Sequence, residues 1–130
     1  MEKELKRHYM LIVDFLGHIL GPDYEIALHE LNDDSNEIIA IANGELTGRH
    51  LGSPLSNKML EYVAGNLYET QNYVLNFESV SATGKTMCSN SMFIKGRSGE
   101  LAGLLCINFD ASRYEELALS LIHISEPTRL

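Results

Sequence analysis

Cysteine is scarce in this sequence: Cys88 and Cys106 are its only two, too few for a disulfide framework. Long hydrophobic runs are missing too. A stretch such as Met10 to Val13 falls far short of the ~20 apolar residues that span a bilayer. The opening Met1-Glu2-Lys3-Glu4 mixes both signs of charge, and no signal-type apolar segment follows it. The expectation is a cytoplasmic, reduced protein with no membrane association.

Positive charge is also in short supply. Ten Lys and Arg face eighteen Asp and Glu, for a net charge of -8 and a pI near 5.0. A surface that grips DNA must neutralise phosphates with clustered basic side chains, so direct nucleic-acid binding is not expected of this chain. The densest charge group is acidic: Glu30, Asp33, Asp34 and Glu37. It reads as a solvated loop between strands. Metal-ligand spacing is absent, since His8, His18, His29, His50 and His123 form no recognisable pattern with Cys, Asp or Glu. No internal repeat or low-complexity stretch occurs.

What remains is ordinary globular material. The 130 residues are 45% apolar with a mean hydropathy of -0.08, which suits one domain. A chain of that size buries roughly two-thirds of the surface its unfolded form exposes.

From Leu5 to Leu20, Leu5, Ile12, Phe15, Leu16 and Ile19 recur at helical spacing, with Arg7, Asp14 and His18 opposite. The spacing predicts an amphipathic helix, stopped by Gly21-Pro22. Two extended segments follow, Tyr24 to Leu31 and Asn36 to Ala42, joined by the turn-forming Asn32-Asp33-Asp34-Ser35. Glycines at 44, 48 and 52 then punctuate a connecting stretch with room for a short helical turn. Ser56 is a candidate N-cap for a helix presenting Leu55, Met59, Leu60, Val63 and Leu67.

Three more strands are expected, at Asn72 to Phe77, Thr86 to Lys95 and Leu101 to Phe109, and then a short helix from about Ser112 to Leu119. Gly96-Arg97-Ser98-Gly99 marks the loop of the last hairpin. The fold class is therefore α+β, with a five-stranded antiparallel sheet, a helical insertion after strand two and an amphipathic N-terminal helix.

Thr83-Gly84-Lys85-Thr86 superficially matches the end of a phosphate-binding loop, but Ser79 stands where that motif needs glycine. An inter-strand turn is the better reading. The last hairpin says more. With a loop of two or four residues, odd positions of its first strand oppose even positions of its second. Ser89 and Ser91 then share a face with Leu104, Cys106 and Asn108, while Met92, Ile94, Leu105, Ile107 and Phe109 share the other. Cys88 and Cys106 fall on opposite faces and should not pair.

Buried Ser, Asn and His need hydrogen-bond partners. The partner is either protein, water or a small polar ligand, so the second face is a candidate ligand wall. His29 lies within a strand of the same sheet, as a bonded strand histidine or a ligand contact. A cysteine enzyme using Cys106 or Cys88 with His29 has no base-orienting acid or oxyanion signature to support it, and a free Cys usually packs as a small hydrophobe. The apolar face needs a cover, from the N-terminal helix or a second copy of the chain.

Leu28-His29-Glu30-Leu31, Ile41-Ala42-Asn43-Gly44, Thr47-Gly48-Arg49, Gly52-Ser53-Pro54-Leu55 and Gly103-Leu104-Leu105-Cys106-Ile107-Asn108-Phe109-Asp110 together resemble the YheO-like PAS domain, from about Leu11 to Ser112. The order of elements is the PAS arrangement. The resemblance implies the sensor domain of a bacterial transcriptional regulator, at residues 1–119. A homodimer is expected from the apolar face that needs a cover, no cofactor is expected, and DNA would be reached only through a helix-turn-helix domain that this chain lacks. The resemblance implies a small effector, amino-acid-like in some relatives, and no enzymatic activity. His29, Asn43, Ser89, Ser91, Cys106 and Asn108 match family motifs on the proposed wall and are the candidate ligand-binding residues. The ending Ser125-Glu126-Pro127-Thr128-Arg129-Leu130 does not resemble the family. Residues 120–130 are expected to be a disordered tail of vector or out-of-frame origin.

Overall fold

A computed structural model describes residues 1–112. The helix expected up to Leu119 and the tail at 120–130 lie outside the described residues. Helix α1 (Lys3–Leu20) leads into the hairpin β1 (Tyr24–Glu30) and β2 (Ile38–Ala42). A short 3-10 turn at Gly44–Leu46, helix α2 (Asn57–Ala64) and a second 3-10 turn at Leu67–Glu69 form the insertion. Strands β3 (Tyr73–Val80), β4 (Thr86–Lys95) and β5 (Leu101–Asp110) complete the sheet.

The sheet order is β2-β1-β5-β4-β3, and every neighbouring pair is antiparallel. The long connection through the insertion lets β5 return to pair with β1, as an α+β PAS-like fold requires. The expected turn chemistry is in place. Asn32 Oδ1 accepts from the Asp34 amide at 2.9 Å in the β1–β2 loop. Residues 81–85 turn back on themselves, with the Ser81 amide donating to Lys85 O at 2.9 Å. The Ser56 hydroxyl accepts from the Met59 amide at 3.3 Å, an N-cap contribution of about 1 kcal/mol. β3 runs three residues further than expected, carried past a register shift between Val74 and Phe77 in which Asn76 takes a φ of 55°.

Each side of the sheet has its own core. Val13, Ile26, Leu28, Ile94 and Leu105 pack together on the α1 side, with Leu5, Tyr9, Ile12 and Leu16 half-buried against them. Leu55, Met59, Phe77, Phe93, Leu104 and Cys106 pack on the insertion side. The face expected to be small and polar is therefore partly hydrophobic.

The helix face differs from expectation in one respect. Phe15 is 60% and Ile19 59% exposed, with Leu11 at 66%. These lie at i, i+4 and i+8, a stripe beside the one that meets the sheet. The apolar arc of α1 is wider than a single sheet contact can cover, so the residues nearest its edge stay in solvent. α1 sits close enough to β2 that a Cβ on Gly17 would collide with the Ala42 side chain.

Candidate functional site

Strand alternation puts three cross-sheet rows on the insertion side. Glu25 on β1 lies opposite Asn108 on β5, which lies opposite Ser89 on β4. Ala27, Cys106 and Ser91 form the next row, and His29, Leu104 and Phe93 the third. Glu25, His29, Ser89, Ser91 and Asn108 are all buried.

These rows floor a small enclosed cavity of about 10 Å³. Its lining includes His29, Ser89, Ser91, Cys106 and Asn108 from the sheet, Ser79 and Phe77 from β3, and Arg49, Leu55, Ser56 and Met59 from the insertion. A space of that size suits one water molecule. Ligand pockets for small organic molecules begin at roughly 300 Å³.

Five of the six candidate residues thus come together, and Asn43 does not line the cavity. Its side-chain amide donates instead to the carbonyls of Gly17, Gly21 and Tyr24, at 3.3, 2.9 and 2.9 Å. With a left-handed φ of 60°, Asn43 ties the end of α1 to both strands of the first hairpin.

Most polar groups of the wall are bonded to one another. The Ser91 hydroxyl donates to Cys106 Sγ at 3.1 Å. Ser79 and Ser89 hydroxyls share a 2.6 Å bond. Asn108 Nδ2 donates to Glu25 Oε1 at 3.0 Å, and Thr47 Oγ1 donates to Glu25 Oε2. His29 Nδ1 lies 2.8 Å from the Asn36 carbonyl oxygen. Among the described residues, His29 Nε2 is the one buried side-chain nitrogen or oxygen without a partner.

Burial dominates the electrostatics. It pushes the His29 imidazole down to about 4, with the Arg49 charge acting in the same direction and the Asn36 bond opposing. It raises Glu25, against the Thr47 and Asn108 bonds and the Arg49 charge. It pushes the Cys106 thiol up to about 11, opposed by Ser91 and Arg49 and reinforced by Glu25. A thiol held protonated is a poor nucleophile.

Glu25, Thr47 and Arg49 were not among the residues singled out from the sequence. Glu25 lies four residues before His29 on the same strand face, an acidic side chain at an inward position, and alternation alone could have flagged it. Thr47 and Arg49 belong to the Thr47-Gly48-Arg49 motif, but nothing local places that loop over the sheet. No group of three or more His, Cys, Asp and Glu is placed to hold a metal among the described residues. No helix among them is long and apolar enough to cross a membrane.

A five-stranded antiparallel sheet with this order, an insertion closing one face and a buried polar cluster beneath it define a PAS domain. The crystal structure of the PAS domain of a protein from Colwellia psychrerythraea aligns with a TM-score of 0.53 at 18% identity, over 82% of this chain and 96% of that one. An RNA-binding light-oxygen-voltage receptor aligns with a TM-score of 0.54 at 11% identity, over 89% of this chain and 39% of that one. These similarities speak for the fold alone.

The profile of the YheO-like PAS domain matches residues 1–124, and the chain belongs to that family. The "Uncharacterized protein YheO" of Escherichia coli (strain K12) is 33% identical over 107 residues, 82% of this chain and 45% of that protein. An uncharacterized protein of Haemophilus influenzae is 30% identical over 109 residues, 78% of this chain and again 45% of its own length. The chain spans about half the length of these curated relatives. PAS domains are characteristically sensory or regulatory modules.

Proposed function

We propose that this chain is the effector-sensing domain of a bacterial transcriptional regulator whose helix-turn-helix domain lies outside the sequence, and that it is not an enzyme. The carrying observation is the convergence of His29, Ser89, Ser91 and Asn108, all buried, on one cavity beneath the insertion, with buried Glu25 bonded to Asn108 behind them. Most of these groups bond to one another, yet His29 Nε2 has no partner, a cost that a purely structural core has no need to carry. The effector is a small polar metabolite, with amino-acid-like compounds the first to test.

The cavity's size supplies the mechanism. A space of about 10 Å³ does not admit even a small amino acid, so the effector binds an arrangement in which the insertion stands further from the sheet. Affinity for the open form over the closed one is the differential interaction that a population shift requires. α2 suits this movement, because it is only eight residues long and Met59 is its one buried residue. The effect would pass through the chain after β5 to the DNA-binding domain.

The exposed stripe of Leu11, Phe15 and Ile19 is read as the contact with a second copy of the chain. Three apolar residues recurring along one helix face make a surface complementary to itself across a two-fold axis. An uncovered apolar groove of about 290 Å³, lined by Tyr73, Leu75, Met92, Leu105 and Ile107, opens on the same side of the sheet.

The small cavity also favours a second reading, a dimerisation module with a filled core and no effector. A thermal-shift screen of the 130-residue chain against amino acids, organic acids and amines separates the two. Stabilisation by a member of the panel supports the sensor, and a uniformly flat response supports the filled core.

A further inference from the structure

His29 carries more information than its burial. Its Nδ1 faces the Asn36 carbonyl oxygen at 2.8 Å, and a carbonyl only accepts. Nδ1 therefore holds the proton. A neutral imidazole has one N–H, so Nε2 is left as a bare acceptor in the ring plane. The residue is 0% exposed, Nε2 has no partner, and the ring lines the cavity. The Ser91 hydroxyl is directed at Cys106, the Ser79 and Ser89 hydroxyls bond to each other and Asn108 donates to Glu25, and none of these groups bonds to Nε2.

Arg49 contributes the opposite chemistry. It lines the cavity from the insertion, half-buried, and also borders the surface cleft outside it. Its charge is felt by Glu25, His29 and Cys106. No ion pair joins its guanidinium to another described residue. Glu25, the acid nearest in effect, already accepts from Thr47 and Asn108. A guanidinium with free donors, shared between the cavity lining and the cleft outside it, is suited to a carboxylate or a similar anion.

We propose that the effector is a small bifunctional anion, which sets a hydrogen-bond donor (ammonium, hydroxyl or amide N–H) against His29 Nε2 and its anionic group against Arg49. The assignment rests on the sensor reading above and adds the orientation and the chemical class. A buried acceptor left unmatched discriminates strongly, so an anion without a donor binds about tenfold or more weakly than one of the same skeleton that has one.

The test uses the 130-residue chain with ¹⁵N-labelled histidine. Long-range proton–nitrogen spectra at neutral pH first establish the His29 tautomer, expected as Nδ1–H with bare Nε2. Alanine, lactate and propionate then share one carbon skeleton with an ammonium, a hydroxyl and no donor, while ethylamine has the donor without the anion. Alanine and lactate are expected to move the Nε2 resonance and raise Tm. Propionate and ethylamine should do so at least tenfold more weakly, and Arg49→Gln should lose the response to the acids. His29→Phe should abolish the difference between alanine and propionate. Where that variant fails to fold, the wild-type tautomer and series still decide. A proton found on Nε2, or propionate acting as well as alanine and lactate, overturns the orientation and leaves the sensor intact. A broad panel that stabilises nothing overturns both.

Discussion

Asn108 and Glu25 stand directly opposite each other on β5 and β1, and the Asn108 amide donates to the Glu25 carboxyl at 3.0 Å across 83 residues of sequence. Both side chains are buried, Glu25 at 0% and Asn108 at 5% exposure. Removing the donor leaves a carboxyl oxygen in the core without that partner. Asn108→Ala should cost about 1–3 kcal/mol and drive the Glu25 pKa further up. Urea unfolding measures the loss; a variant as stable as wild type would mean that the pair contributes nothing. Effector binding by this variant has to be read against that loss, because Asn108 supports Glu25 as well as lining the cavity.

His29 should make the domain acid-labile. Its folded value of about 4 lies below the ordinary 6.5, so between those two pH values the unfolded chain takes up a proton that the native one does not. Stability therefore falls as pH drops through that window, approaching about 3 kcal/mol at its lower end. His29→Phe has no such group, and its stability should be flatter from pH 7 to 4 when both are unfolded in urea. Parallel curves would refute the buried neutral imidazole.

Glu25 has the opposite sign. Its pKa is raised above 4.5, so the native chain keeps a proton that the unfolded one has lost, and stability declines as pH rises through the folded value. Glu25→Gln preserves the shape, offers an acceptor to Asn108 and does not titrate. The variant should gain on wild type as pH is raised above about 4.5. Tm curves for the two proteins that keep a constant separation would contradict this.

Gly17 should reverse a general rule. Replacing glycine by alanine inside a helix usually stabilises it by about 1 kcal/mol. Here the added Cβ runs into the Ala42 side chain, where α1 crosses β2, and the Gly17 carbonyl is one of those bound by Asn43. Gly17→Ala is expected to destabilise the chain by about 1–3 kcal/mol, and a raised Tm would argue against the close approach.

Phe15→Glu tests the dimer. Phe15 is 60% exposed and makes no part of either core, so the fold should survive with stability changed by less than about 0.5 kcal/mol in the monomer. Light scattering should show wild type as a dimer and the variant as a monomer. Ending the chain at Ser112 tests whether residues 113–130 contribute to the same contact. If that shorter chain stays dimeric, the stripe pairs with its own copy, and if its oligomeric state changes, residues 113–130 take part.

Local pattern was enough for the order of elements from α1 to β5, the antiparallel sheet and the two faces of the last hairpin. Side-chain alternation gives each strand its two faces, but the pairing has another cause: Lys95 pairs with Leu101 across a loop of odd length, and the register shift between Ile94 and Lys95 sets Ser89 opposite Asn108 and Ser91 opposite Cys106. The same alternation put Cys88 and Cys106 on opposite faces. It did not separate Phe15 and Ile19 from Leu16 on α1, since a helix with apolar residues over so wide an arc does not say which edge of it meets the sheet.

The tertiary structure alone decided what each polar group bonds to. Asn43 fits a motif on the chain, yet its amide joins three carbonyls contributed by α1, the turn after it and the start of β1. Glu25 became part of the site only when β5 returned beside β1 and the 3-10 turn brought Thr47 over it. Periodicity reports the direction in which a side chain leaves its own strand. The atom that it meets there belongs to a distant part of the chain, and only the completed packing of sheet and insertion brings the two within bonding distance.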